Sequence, residues 1–173
     1  LVVVNHRLPA AVVDECRAQA RAFFHQSAET KAKVELGGEG YRGWVAPDRE
    51  SNSATYGVAT APDLKETFAY GPVEPVDESL RQLAARWYAP NLWPESMPEF
   101  RAAAEAWWRA ARALNDDLLD ILSVALGQPA GHLRELSATT TAQVSLNWYG
   151  PRGASEPLPD QFRIGPHTDF GML

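Results

Sequence analysis

Apolar residues recur at helical spacing in three stretches of the chain and alternate with polar ones in a fourth. Behind Pro9, the residues Val12, Val13, Cys16, Ala20, Phe23 and Phe24 fall on one helical face, which predicts a helix from about Ala10 to Gln26. Leu80, Leu83, Ala84, Trp87 and Tyr88 predict a second helix, broken by Pro90, Pro94 and Pro98. The longest pattern, Phe100, Ala104, Trp107, Ala111, Leu114, Leu118, Leu122 and Ala125, ends just before Gly127, where a C-terminal cap is expected. Trp107 and Trp108 on this helix read as core residues. In Val144-Ser145-Leu146-Asn147-Trp148-Tyr149 the period changes to two, that of a half-buried strand, so Asn147 and Tyr149 share a face.

Gly and Pro punctuate the rest. Residues 37–62 read as loop with a short strand around Tyr41-Arg42-Gly43-Trp44, Leu64 to Tyr70 as extended chain, and Gly150 to Asp160 as a connection. Phe162 to Leu173 is expected to be extended again, and Leu1 to Val4 to open a buried strand. Helices followed by strands suit an α+β protein with helices packed on a sheet or barrel. One domain is expected, with residues 1–138 mainly helical and residues 139–173 carrying strands. Both ends fall inside apolar extended segments, so the expectation is that this domain is incomplete within the 173 residues.

Composition narrows the function classes. Acidic residues outnumber basic ones, 22 to 16, without a run of either sign, so a phosphate-binding face for nucleic acid is not expected. No stretch is long enough to span a membrane, and a soluble cytoplasmic protein is expected. The single cysteine, Cys16, excludes an internal disulfide framework and a thiolate zinc site. Gly37-Gly38-Glu39-Gly40 lacks the Lys-Ser/Thr of a phosphate-binding loop, and no Gly-x-Ser-x-Gly nucleophile elbow is present.

The chemistry concentrates at His167-Thr168-Asp169. In extended chain, residues two apart project to one side, so an imidazole and a carboxylate can aim at one point, as two members of a 2-His-1-carboxylate set for Fe(II). On these three residues alone a solvated turn is the commoner reading. Gly165-Pro166 ahead and Gly171 behind set a tight backbone path around the pair, which raises the functional one. His6, His25 and His132 read as surface or helix-end residues.

Gly165-Pro166-His167-Thr168-Asp169-Phe170-Gly171 resembles the iron-binding segment of the isopenicillin N synthase-like Fe(II)/2-oxoglutarate-dependent oxygenases, and Asn147-Trp148-Tyr149 is similar to that family's Asn-x-Tyr strand. Val4-Asn5-His6, Phe23-Phe24, Glu29-Thr30-Lys31, Gly40-Tyr41 and Asp63-Leu64-Lys65-Glu66-Thr67-Phe68 resemble the order of the family's N-terminal region. The resemblance implies a double-stranded β-helix, a jelly-roll barrel, with N-terminal helices packed on it. It implies His167 and Asp169 as catalytic iron ligands and Asn147 and Tyr149 beside the co-substrate. Fe(II), dioxygen and 2-oxoglutarate would then serve to hydroxylate, desaturate or cyclise a small organic metabolite. Tyr41, Trp44 and Tyr56 are candidates to line the substrate mouth. The chain departs from the family in Asn5-His6-Arg7, where Asn-His-Gly is usual, and the family's third ligand and Arg-x-Ser anchor would follow Leu173. Family members that use iron without 2-oxoglutarate, an inactive barrel that binds a small ligand or partner protein, and a hydrolase on the same two ligands stay open as alternatives. The oligomeric state is not legible.

Overall fold

The computed structural model describes residues 3–37, 41–51, 57, 61–151 and 157–169. Leu1, Val2, Gly38, Gly40, Tyr56 and residues 170–173, which carried expectations above, lie outside them. The elements run α1 (Ala10–Phe24), α2 (Ala28–Ala32), β1 (Gly43–Val45), β2 (Glu66–Tyr70), α3 (Glu78–Leu83), α4 (Pro98–Ala125), α5 (His132–Leu136) and β3 (Val144–Trp148). The strands form one antiparallel sheet in the order β1-β2-β3.

Register sorts the side chains of this sheet. Trp44, Phe68 and Leu146 are cross-strand neighbours on one face; Val45, Thr67 and Asn147 are neighbours on the other. The first face packs on α1 and α4 through Phe23, Phe24, Phe100, Ala104 and Trp108. Phe68, fully buried, meets the rings of Phe23 at 4.9 Å and Phe100 at 5.0 Å. Such rings supply most of the apolar burial that fixes the sheet on the helices. Tyr70 reaches further and donates its hydroxyl to the Ala104 carbonyl of α4 at 2.9 Å. Burial pushes the Tyr70 phenol far above its ordinary range, so it stays a donor.

A buried ion pair ties the α2 corner to the sheet. Lys31 Nζ contacts Glu66 Oε2 at 2.6 Å and donates to the Phe24 carbonyl at 3.1 Å, while Trp44 Nε1 donates to the same Glu66 oxygen at 2.6 Å. Both charges are thereby paired where water is excluded. The chain leaving α2 then runs beside β1, with Trp44 N–H donating to the Val34 carbonyl and Leu36 N–H to the Trp44 carbonyl, each at 2.7 Å. Gly43 sits at φ +112°, and a Cβ there would lie 2.5 Å from the Val34 oxygen, so only glycine allows this approach.

α4 ends as its sequence requires. Gly127 at φ +70° donates to the Val124 carbonyl, and Gln128 N–H reaches back to Ser123, the paired bonds of a Schellman cap. Ser123, fully buried, accepts the Leu133 N–H and so seats α5 against α4.

Three expectations are corrected. The second helix stops at Leu83, which is 84% exposed, and the chain turns through residues 84–88. There the buried Arg42 takes the Trp87 carbonyl at 2.7 Å and holds the turn. Val3 and Val4 are exposed and outside any strand, since no described neighbour pairs with them. The run from Phe162 bends at residues 163, 164 and 166, where polar groups bond to the chain ahead of β2. Phe162 accepts the Leu64 N–H at 2.8 Å, and Gly165 N–H donates to the buried Asp63 Oδ1 at 2.9 Å.

Candidate metal centre

The sheet face turned away from the helices forms one wall of a cavity of about 340 Å³. Alternation along β2 explains its character: Glu66, Phe68 and Tyr70 face the helices, which leaves Lys65, Thr67 and Ala69 for the cavity. Ser145 and Asn147 of β3 continue the same wall. Ile164, His167, Thr168 and Asp169 line the cavity as well, their segment tied to the chain ahead of β2 by the bond from Gly165 N–H to Asp63. Gln161 Nε2 adds a bond of 2.9 Å to the Pro62 carbonyl.

His167 is held in one tautomer. Its Nδ1 lies 2.8 Å from the Gly165 carbonyl oxygen, and a carbonyl only accepts, so Nδ1 is the donor, and a neutral imidazole so placed has its lone pair on Nε2. Nε2 in turn faces Asp169 Oδ1 at 3.4 Å. With a neutral imidazole, two electron-pair donors converge here, an arrangement that a metal cation between them would stabilise. Metal–ligand bonds of roughly 2.1 Å meeting at about 90–110° would separate their donors by about 3.0–3.4 Å, a range whose upper end is the distance found. The backbone carbonyl behind the imidazole is the outer partner that metal-bound histidines generally have. The pair therefore fits a divalent metal. Among the described residues no third His, Cys, Asp or Glu completes a metal-holding group with them. His25 packs edge-on against Trp148 on the helix side, with ring centroids 5.0 Å apart, and His6 accepts the Leu8 N–H.

The other sequence candidates separate. Asn147 lines the cavity, and its Oδ1 accepts the Thr67 hydroxyl at 2.9 Å. Tyr149 is half-buried just past the end of β3, two residues beyond Asn147 on the strand's alternation, and is not among the cavity-lining residues. Tyr41 lines the cavity and stacks on Trp87 at 5.2 Å. Trp44 does not: it is 4% exposed on the opposite face, bonded to Glu66. Three polar residues of the wall, Glu50, Lys65 and Thr67, escaped the sequence reading. Lys65, buried, pairs with Glu50 at 3.0 Å, and Lys65 Nζ also reaches Thr67 Oγ1 at 3.4 Å. The signal for two of them was the alternation of Lys65 and Thr67 with Glu66 and Phe68 in a segment read only as extended.

The chain is similar to known oxygenases. Validamycin A dioxygenase of Streptomyces hygroscopicus subsp. limoneus is 29% identical over 174 residues, which are 99% of this chain and 47% of that protein. A 2-oxoglutarate-dependent dioxygenase of Talaromyces stipitatus is 30% identical over 184 residues, covering 99% of this chain and 53% of that protein. The chain thus spans about half the length of these curated relatives. Among solved structures, a full-length Neurospora crassa protein in complex with alpha-KG superimposes with a TM-score of 0.71 at 22% identity, over 96% of this chain and 50% of that one. This likeness shows a shared fold. The model of the N-terminal region of the non-haem dioxygenases, described from morphine synthesis, matches residues 1–96, more than half of the sequence, and the chain belongs to that family.

Proposed function

We propose that the full-length protein is an Fe(II)- and 2-oxoglutarate-dependent oxygenase that oxidises a small organic metabolite with dioxygen, its metal site on a jelly-roll barrel. The observation that carries this is the His167–Asp169 pair, imidazole Nε2 and carboxylate Oδ1 3.4 Å apart at the edge of a cavity. His167 and Asp169 would hold the iron. When bound, the iron supplies the activation of dioxygen, and 2-oxoglutarate supplies two of the electrons that this requires. The chain's own residues orient and enclose. The Gly165 carbonyl orients the imidazole with Nε2 free to ligate when neutral, Asn147 in the cavity wall and Tyr149 just past the end of β3 would serve the co-substrate, and Tyr41 flanks the space left for the substrate. That the Talaromyces relative carries 2-oxoglutarate in its name, and that the Neurospora structure holds alpha-KG, supports this co-substrate.

The test is succinate release from 2-oxoglutarate by the purified full-length protein. It is expected to require Fe(II) and oxygen and to vanish in His167→Ala and Asp169→Ala, with circular dichroism unchanged. Release at the wild-type rate in either variant would remove both residues from the iron site.

A further inference from the structure

Resting on that reading, we infer that Thr67 is a positioning residue that sets which way round the Asn147 amide faces the cavity, so that its NH2 group is offered to the oxygens of the 2-oxo acid. The hydrogen bonds of the cavity wall support this: Asn147 turns its oxygen, Oδ1, toward Thr67. Lys65 Nζ lies 3.0 Å from Glu50 Oε2 and 3.4 Å from Thr67 Oγ1, and an ammonium can only donate. Thr67 therefore accepts from Lys65 and has its single hydroxyl proton left to give. Two acceptors are in reach, Asn147 Oδ1 at 2.9 Å and Glu50 Oε2 at 3.4 Å. The nearer receives it, since Glu50 Oε2 already takes the Lys65 ammonium at 3.0 Å. With its oxygen turned to Thr67, Asn147 has its nitrogen to offer an acceptor on a ligand, and that nitrogen makes no hydrogen bond among the described residues.

The direction of the chain from Lys65 to Thr67 to Asn147 decides the sign of the interaction. An amide turned the other way would present an oxygen to a carboxylate and repel it. Held this way, it presents two N–H donors. The buried Lys65 thus bears on Asn147 through the Thr67 hydroxyl, and Thr67, on β2, links the N-terminal strands to the co-substrate side of β3.

The experiment is a calorimetric titration of 2-oxoglutarate into Mn(II)-loaded full-length protein without oxygen, where no turnover occurs. Wild type is compared with Thr67→Val, which keeps the shape but loses the hydroxyl, and with Thr67→Ser, which restores it. Thr67→Val is expected to weaken 2-oxoglutarate binding about three- to tenfold, and Thr67→Ser to return it to within about twofold, the range of one neutral hydrogen bond. Mn(II) affinity should be equal in all three proteins. Unchanged binding in Thr67→Val, failure of Thr67→Ser to rescue, or a parallel loss of Mn(II) affinity would overturn the inference while leaving the proposed function standing. A wild-type protein that takes up Mn(II) but not 2-oxoglutarate would overturn both.

Discussion

Replacing Glu66 by alanine tests how the fold presents the cavity wall. The Glu66 side chain is 10% exposed and that of Lys31 8%, so the substitution leaves an ammonium buried with only the Phe24 carbonyl at 3.1 Å to bond. It also removes the acceptor of the Trp44 indole N–H. Breaking a buried pair from one side costs about 3–5 kcal/mol, because the remaining charge is uncompensated. The cost lies in the stranded charge and not in the attraction lost, so Lys31→Met combined with Glu66→Gln should recover most of it. The amide oxygen introduced by Glu66→Gln would still accept from Trp44. Urea unfolding of the full-length protein, followed by tryptophan fluorescence, reads these differences as shifts in midpoint. A Glu66→Ala variant within about 1 kcal/mol of wild type, or a double variant no more stable than Glu66→Ala, would refute the stranded-charge reasoning. The result bears on function because Glu66 lies between Lys65 and Thr67. A strand slipped by one residue would turn both of those toward the helices.

Gly43→Ala should lower stability by about 1–3 kcal/mol, since it combines a backbone at positive φ with a close approach to the Val34 oxygen; a thermal melt measures it, and an unchanged melt would contradict the role of that contact. Tyr149→Phe is expected to weaken 2-oxoglutarate binding about ten- to a hundredfold while iron content stays constant, the loss of a hydroxyl bond to a carboxylate. Titration of the co-substrate checks this, and an unchanged affinity would remove Tyr149 from the site.

Much of the helical layer was legible. α1 was expected over Ala10 to Gln26 and spans Ala10–Phe24, and α4 runs to the cap that Gly127 announced. Long amphipathic stripes repeat their message at every turn, so a tertiary contact rarely overrides them. Short elements carry less of it. Trp44 is only a candidate for the substrate mouth in the sequence, because its own neighbours do not say which way a three-residue strand faces. Its pairing with Phe68 decides that, and the pairing is 24 residues away in sequence. Phe162 to Leu173 reads as extended from its composition, yet the path of residues 162–166 is held by bonds to Asp63 and Leu64, about 100 residues earlier. Asn147 was named without the partner that orients it, because Thr67 lies on another strand 80 residues before it.

Whether His167 and Asp169 hold iron is tested most directly by anaerobic calorimetric titration of Fe(II) into the full-length protein. A single stoichiometric site is expected in the wild type, with affinity sharply reduced in both His167→Ala and Asp169→Ala. Wild-type protein that binds no Fe(II), or variants that bind it as tightly as wild type, would contradict the assignment.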